Sequence, residues 1–199
     1  MTTDRETLRR LIDKKSLVVD ENFTLSTGDK SSFYFDCKKV TLDGYALDLI
    51  ADQMLQIIDR FPLTPEAIGG LTMGADFIVS AVIMKAHQTG RKTLQGSVVR
   101  KEPKKHGTKN KIENELPAGT PIVVVDDVVT SGRSTLDACD EFVKDGYNIV
   151  GIIALVDREA GGMENIRKRY SNVHSLFQKR DFPRLIEELG SEHKTAIAG

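Results

Sequence analysis

Two adjacent aspartates, Asp126 and Asp127, stand directly after a continuous apolar run, Ile122–Val125. Such a run is typical of a parallel strand that helices cover on both faces. In open α/β sheets, ligands bind at the carboxyl ends of the strands. Carboxylates at this place can accept hydrogen bonds from sugar hydroxyls or bind a hard cation such as Mg²⁺. We therefore interpret the aspartates as candidate ligand-binding residues.

A loop of small polar residues follows and leads into a predicted helix, Ser131–Lys144. Its hydroxyls, its glycine and the unpaired N–H groups of a helix N-terminus favour a bound phosphate. The loop has neither the Gly-Lys-Ser/Thr of a P-loop nor the G-x-G-x-x-G pattern, so the inferred ligand is a ribose 5-phosphate rather than a nucleoside triphosphate. The candidate residues of this phosphate loop are Val128, Val129, Thr130, Ser131, Gly132, Arg133 and Ser134.

The stretch VVVDDVVTSGRST resembles, along its whole length, the phosphoribosyl pyrophosphate (PRPP) signature of the type I phosphoribosyltransferases. The resemblance implies an α/β fold with a central, mostly parallel sheet, flanking helices and a small N-terminal hood. It also implies Mg²⁺ as a cofactor that binds through PRPP, with Asp126 and Asp127 as the candidate ligands from the protein. We expect one compact domain, with an N-terminal helix and hood in residues 1–40 and the transferase core in residues 41–199.

The segment Phe23–Cys37 has the pattern of an antiparallel hairpin. It is similar to the hood of orotate phosphoribosyltransferases, and this similarity implies that Tyr34 and Phe35 contact the pyrimidine. From the residues alone, a packing role for each ring is equally open. The family often carries a lysine before the turn of this hairpin, where the present chain has Ser26.

A second strand–loop–helix junction occurs at Ala67–Asp76, one βα unit before the aspartate pair. Its glycines allow the backbone to approach a ligand closely, and sites at a switch point use adjacent strand ends. In the resembled family the corresponding loop binds pyrophosphate through main-chain groups. The resemblance thus assigns Thr72 and Met73 to PRPP.

A basic segment runs from Arg100 to Lys111 and contains six Lys or Arg residues together with His106. Basic runs are usually solvated faces or polyanion-binding patches, but long loops inside α/β domains are often functional lids. This one resembles the V-R-K-E-x-K-x-H-G loop of orotate phosphoribosyltransferases. The resemblance assigns PRPP binding to Arg100, Lys101, Lys104 and His106, and catalysis to Lys101, Lys104 and His106 with Asp126 and Asp127. It also implies a homodimer with shared active sites, in which Arg100, Lys104 and His106 act across the interface.

Arg158 follows another apolar strand, Asn148–Val156. A guanidinium can bind a carboxylate through two parallel hydrogen bonds, and orotate carries a carboxylate. By resemblance, Arg158 and Thr130 hold orotate. The alternative is a surface arginine that pairs with Asp157 or Glu159.

The bulk composition agrees with a cytoplasmic enzyme. The formal net charge is −1 over 199 residues, so no overall positive field indicates nucleic acid. No apolar run reaches transmembrane length, and the N-terminus lacks a secretory pattern. We expect neither a nucleic acid nor a membrane partner.

Taken together, the resemblance implies transfer of ribose 5-phosphate from PRPP to orotate, giving orotidine 5′-monophosphate and pyrophosphate in de novo pyrimidine (UMP) biosynthesis. The sequence leaves two alternatives open. A PRPP-sensing regulator would keep the phosphate loop, but no DNA-binding element supports it except the basic segment. A phosphoribosyltransferase for another base would have a different basic loop.

Overall fold

The computed structural model describes residues 2–24, 30–91, 93–102, 111–185 and 187 of the chain. Its central element is a 6-stranded sheet in which all neighbouring strands are parallel except the first pair. In spatial order the strands are β5 (Ile112–Glu113), β4 (Gln95–Val99), β3 (Ala67–Leu71), β6 (Pro121–Val129), β7 (Asn148–Asp157) and β8 (Val173–Gln178). The predicted α/β class with a mostly parallel sheet is confirmed.

Helices cover both faces of this sheet. On one face lie α1 (Asp4–Lys15), α3 (Gly44–Ile58) and α4 (Asp76–Gln88), and on the other lie α5 (Arg133–Lys144) and α6 (Gly162–Arg167). Strand β6 shows why the apolar run is continuous: Val123 and Val125 pack into the first core, and Ile122 and Val124 into the second. Within the described residues, no helix combines the length and the hydropathy needed to cross a membrane.

The hood is a two-stranded antiparallel hairpin of β1 (Leu17–Thr24) and β2 (Lys30–Phe35). It starts earlier in the chain than the predicted hairpin, and the predicted turn at residues 27–29, together with Ser26, lies outside the described residues. A short helix, α2 (Lys38–Thr41), connects the hood to α3. The carboxylate of Asp43 caps α3 by accepting a hydrogen bond from the Ala46 N–H at 2.9 Å.

Strand β6 is longer than the apolar run that predicted it. The sequence placed the strand at Ile122–Val125, whereas the pairing with β7 continues through Asp126 and Val128 to Val129. The two aspartates therefore lie within the last part of a central strand, not in the loop beyond it. Their backbone is held by the ladder of hydrogen bonds to β7, which gives the carboxylates a rigid base.

The glycines at the start of the Ala67–Asp76 junction have a packing role. A Cβ atom on Gly69 would lie 2.0 Å from the carbonyl oxygen of Ser97, and one on Gly70 would lie 2.2 Å from that of Val125. Both glycines allow β3 to lie close to its neighbours. The structure thus shows a packing role for Gly69 and Gly70, whereas Gly74 lies against the aspartate pair; an approach of these glycines to a ligand stays a prediction.

Candidate active site

The site forms where the carboxyl ends of β3, β6 and β7 meet. Gly74 lies in the loop after β3, Asp126 and Asp127 lie in β6, and Arg158 follows β7. A Cβ atom on Gly74 would lie 2.6 Å from Oδ1 of Asp127 and 3.2 Å from Oδ1 of Asp126. The backbone N–H of Arg158 donates to the carbonyl of Val129 at 3.0 Å. The structure thus brings together groups that are far apart in the sequence.

Both carboxylates of the aspartate pair are held by hydrogen bonds. Oδ2 of Asp126 accepts from the Thr135 hydroxyl at 2.7 Å, and Oδ1 accepts from the Asp127 N–H at 3.0 Å. Oδ1 of Asp127 accepts from the Val128 N–H at 2.9 Å. Burial, and then the charge of Asp127, raise the pKa of Asp126 to about 7. Burial also raises the pKa of Asp127, so a ligand that donates hydrogen bonds or brings positive charge would favour the ionised form of the pair.

The phosphate loop encloses a small polar cavity of about 120 Å³. Helix α5 begins at its edge, and Gly132 supplies the left-handed backbone conformation before it, with φ of 79°. A Cβ atom on Gly162 would lie 2.4 Å from the Thr130 carbonyl oxygen, which shows how closely α6 supports the loop from behind. The lining residues are Asp126, Val128, Val129, Thr130, Ser131, Gly132, Arg133, Ser134 and Thr135. This is a cavity of the size and polarity that suit a phosphate group.

The segment of residues 71–75, which we name the diphosphate loop, contains the predicted pair Thr72 and Met73. The Thr72 N–H donates to the Val99 carbonyl at 2.8 Å, and the Thr72 hydroxyl donates to the carboxylate of Asp76. The peptide bond between Thr72 and Met73 is cis. No residue of the loop carries a positive charge, so it can offer a ligand only main-chain groups and one hydroxyl.

Arg158 is buried and faces the hood. The residue is only 6% exposed, and its Nη2 donates to the Ser31 hydroxyl at 2.8 Å and to the Phe33 carbonyl at 3.1 Å. The guanidinium carbon lies 4.4 Å from the centre of the Phe33 ring. Within the described residues, Nε has no hydrogen-bond partner. Burial accordingly lowers the pKa of Arg158.

The alternative of a surface arginine paired with a neighbouring carboxylate is wrong. Oδ1 of Asp157 accepts from the Glu159 N–H at 2.8 Å, and the Glu159 carboxylate pairs with Arg180 at 3.3 Å. In the part of the chain that the structure describes, Arg158 forms no ion pair with a carboxylate. A buried cation without a counterion is costly, and an anionic ligand would offset that cost.

The two predicted hood aromatics differ in their surroundings. Tyr34 is half-buried, and its charge acts on the pKa of Arg158. Phe35 is 2% exposed and packs against Phe33 and Phe182, with ring centres 5.9 Å and 5.0 Å apart. Neighbouring residues of a strand point to opposite faces, so both rings cannot face one ligand. The structure therefore places the Phe35 ring in the core, while a contact of Phe35 with the pyrimidine stays a prediction.

The basic segment is only partly described. Lys104 and His106 lie outside the described residues. Arg100 and Lys101 are exposed and line a cavity of about 640 Å³, together with Arg133 and Ser134 at the start of α5. Nη1 of Arg100 lies 2.9 Å from Oε1 of Glu113. The first two residues of the basic segment, Arg100 and Lys101, thus lie next to the phosphate loop.

Two residues near the site were not singled out by the sequence. Ser31 holds Arg158, but a serine in a polar hairpin carries no distinctive signal. Lys38 lies at the exit of the hood, and its charge lowers the pKa of Asp127, against the effect of burial. In the sequence Lys38 and Lys39 are only a pair of adjacent basic residues, and such residues are usually solvated.

Comparison with known proteins identifies the family. The phosphoribosyl transferase domain family matches residues 43–180. The orotate phosphoribosyltransferase of Aquifex aeolicus (strain VF5) is 43% identical over 177 residues, which is 88% of this chain and 95% of that protein. The chain belongs to the orotate phosphoribosyltransferase family. The family that its sequence motifs predicted is therefore confirmed.

Solved structures of the family agree with the fold. Orotate phosphoribosyltransferase of Mycobacterium tuberculosis H37Rv in complex with Fe(III) dicitrate has a TM-score of 0.77 and 32% identity, covering 90% of this chain and 99% of that one. The same enzyme in complex with 5-phospho-α-D-ribosyl 1-diphosphate (PRPP) has a TM-score of 0.74 and 30% identity, covering 91% and 99%. The predicted type I phosphoribosyltransferase fold is confirmed.

The raised pKa of Asp126 predicts a pH-dependent effect of Asp126→Asn on the unliganded protein. The folded-state pKa of about 7 lies above the ordinary value of 3.8, so the buried carboxyl group favours the folded state while it is protonated. This contribution to the free energy of unfolding is lost as the pH rises through about 7. At pH 8 the variant should melt a few degrees above the unsubstituted protein. At pH 4, close to the ordinary pKa of 3.8, the unfolded chain has lost only part of the proton that the folded protein keeps, so the Tm difference should be much smaller than at pH 8.

Thermal unfolding followed by circular dichroism at both pH values measures this difference. Asp137→Asn is the control, because Asp137 is an exposed aspartate of the following helix α5. This substitution should change Tm little at either pH. A Tm increase of equal size at pH 4 and pH 8 would contradict a buried, ionisable Asp126.

Proposed function

We propose that this chain transfers the ribose 5-phosphate of PRPP to N1 of orotate at the edge of the sheet where β3, β6 and β7 end. The reaction is assigned from its family membership, and it yields orotidine 5′-monophosphate and pyrophosphate in pyrimidine biosynthesis. The observation that carries the base specificity is the buried Arg158 guanidinium, which has no carboxylate partner among the described residues. Orotate is the pyrimidine base that supplies a carboxylate to it.

The ribose 5-phosphate binds across β6 and α5. The phosphate occupies the cavity of the phosphate loop, where the N–H groups before α5 and the Ser131 and Ser134 hydroxyls donate to it. The carboxylates of Asp126 and Asp127 accept hydrogen bonds from the ribose hydroxyls. Their adjacency to the phosphate loop along a single strand matches the short distance between C5′ and the ring hydroxyls. The related enzyme of M. tuberculosis was solved in complex with PRPP, which supports PRPP as the ligand.

Orotate binds between Arg158 and the hood. Arg158 is buried beside Val129 and close to Thr130, and Tyr34 lies on the face of the hood that is opposite to the core. A planar base can therefore lie with its carboxylate towards the guanidinium and its ring towards Tyr34 and Thr130. This arrangement rejects uracil because the uncharged base would leave Arg158 without a counterion.

Charge stabilisation drives the transfer. As the C1′–oxygen bond breaks, positive charge develops on the ribose and negative charge on the diphosphate. The aspartate pair faces the ribose, and Arg100, Lys101, Lys104 and His106 neutralise the diphosphate. A lid that excludes water also protects the cation-like sugar from hydrolysis. No protein base is assigned to orotate.

The donor chemistry of the aspartate pair fits Mg²⁺. Carboxylate oxygens are hard ligands, and Gly74 has no side chain that would collide with Oδ1 of Asp127. Among the described residues, no group of three or more His, Cys, Asp or Glu side chains could hold a metal, so the diphosphate would supply most ligands and Asp127 the protein's share. When bound, Mg²⁺ supplies charge neutralisation to the diphosphate.

The assembly that we propose is a cytoplasmic homodimer with shared sites. Leu42, Tyr45, Met73 and Met84 are large apolar residues with exposed fractions of 57% to 65%, and such side chains are typical of interfaces. Within each subunit, residues 1–40 act as the helix and hood and residues 41–199 as the transferase core, packed together as one domain.

Loss of orotate absorbance on addition of PRPP and Mg²⁺ tests the reaction. The signal should fall only when both are present, and adenine, hypoxanthine and uracil should give no product in parallel assays. Turnover of another base in preference to orotate would overturn the substrate assignment. Binding of PRPP without turnover of any base would favour a PRPP-sensing regulator.

Arg158→Ala should raise KM for orotate at least about ten-fold, since it removes a charge-assisted bidentate contact. KM for PRPP should stay within about two-fold, because that substrate is held by β6 and the phosphate loop. Arg169→Ala is a matched control, since Arg169 is an exposed arginine paired with Asp140, and it should leave both constants unchanged. Equal losses for orotate and PRPP would contradict the role of Arg158 as a carboxylate clamp.

Mixed dimers of Arg100→Ala and Asp126→Asn subunits should regain activity that neither variant has alone. If Arg100 acts across the interface, each mixed dimer contains one intact site, and random mixing restores about a quarter of the normal activity. Steady-state turnover after co-refolding measures the gain, with each refolded variant alone as the control. Absence of any gain would place Arg100 in the site of its own subunit.

A further inference from the structure

Lys38 is the first residue of α2, between the hood and α3, and backbone hydrogen bonds hold the chain on both sides of it. The preceding Asp36 donates its backbone N–H to the Ser16 carbonyl at 2.8 Å, and the Thr41 N–H donates to the Cys37 carbonyl at 2.8 Å. Cys37 is buried, with 1% of its surface exposed. The Lys38 side chain is 46% exposed, so its stem starts from a rigid backbone while its ammonium group remains accessible to a ligand.

The surroundings of Lys38 are those of the active site. Nζ lies 2.9 Å from Oδ1 of Asp36. Asp36 first, and then the charges of Tyr34 and Asp127, raise the pKa of Lys38, and the charge of Asp127 also helps to raise the pKa of the adjacent Cys37 thiol. Lys38 therefore stays protonated near neutral pH. It lies beside the residues that we assign to the base and to the ribose.

The diphosphate loop approaches the same carboxylate. Gly74 lies against Oδ1 of Asp127, while Lys38 acts on Asp127 through its charge. The loop itself has no cationic side chain, yet a diphosphate carries several negative charges. Lys38 and Gly74 of the diphosphate loop therefore both act on the carboxylate that we assign to the ribose.

We propose that Lys38 binds the diphosphate of PRPP within its own subunit and stabilises it as the leaving group. This inference rests on the proposed function. In the transfer, the C1′–oxygen bond breaks with its electron pair left on the diphosphate oxygen, and N1 of orotate forms the new bond to C1′. Lys38 gives and takes no proton, and its ammonium group is shared between Asp36 and the diphosphate.

A purely structural ion pair with Asp36 is the competing explanation. It predicts that loss of Lys38 would affect folding or all ligands equally. The two explanations separate when a ligand with the diphosphate is compared with one that lacks it. Pyrophosphate and ribose 5-phosphate are such a pair, because the second occupies only the phosphate loop and the aspartates.

Calorimetric titration of the full chain with pyrophosphate in Mg²⁺, and separately with ribose 5-phosphate, tests the proposal. Lys38→Gln keeps a polar contact to Asp36 but removes the charge, and it should weaken pyrophosphate binding at least about ten-fold. Its affinity for ribose 5-phosphate should change less than about two-fold. Lys38→Arg should recover most of the pyrophosphate affinity, and Lys39→Gln, which removes an exposed neighbouring charge, should match the unsubstituted protein.

Unchanged pyrophosphate binding in Lys38→Gln would overturn the proposal, as would equal weakening of both ligands or the same loss in Lys39→Gln. Lys38→Met serves as a second neutral variant if the Tm of Lys38→Gln falls. Failure of the unsubstituted protein to consume orotate would instead count against the proposed function, and the titrations with pyrophosphate would still report on Lys38.

Discussion

The desolvation of two adjacent carboxylates at the end of β6 is the constraint on which the rest of the site depends. Burial opposes the charge of Asp126 and Asp127, and the Thr135 hydroxyl, backbone N–H groups and the charge of Lys38 offset this effect only in part within the described residues. A ligand that brings hydroxyl donors and a cation relieves this penalty. In the function that we propose, the ribose hydroxyls and the Mg²⁺ of bound PRPP would supply both, and part of the binding free energy would come from stabilising the ionised pair.

The sheet makes this arrangement rigid through close packing at glycines. Gly69 and Gly70 let β3 lie against β4 and β6, while Gly162 supports the phosphate loop from α6. Side chains at these positions would collide with main-chain atoms, which cannot move without disturbing the strands. The same closeness places Gly74 over the aspartate pair. Glycines within β3 thus allow the strands to pack closely, and the glycine after β3 allows the loop to lie against the aspartate pair.

A second buried charge connects the hood to this edge. Arg158 follows β7, yet it donates to Ser31 and to the carbonyl of Phe33 in β2. The guanidinium stacked on Phe33 holds the hood next to the phosphate loop. Because Arg158 has no carboxylate partner in the described part of the chain, an anionic base would complete its neutralisation. Arg158 thus links the hood to the edge of the sheet, and in the function that we propose the same side chain selects the base.

The sequence by itself determined the fold class and the family, and it predicted the phosphate loop and most of the charged residues that we assign to the site. Those signals are local: a continuous apolar run predicts a doubly covered strand, and a polar loop before a helix predicts an anion site. Only the tertiary structure decided that Phe35 packs in the core, that Gly69 and Gly70 serve strand packing and that Arg158 faces the hood. It also decided that Lys38 lies beside Asp127. These outcomes depend on which face of a strand or helix meets a distant segment, and spacing along the chain does not contain that information.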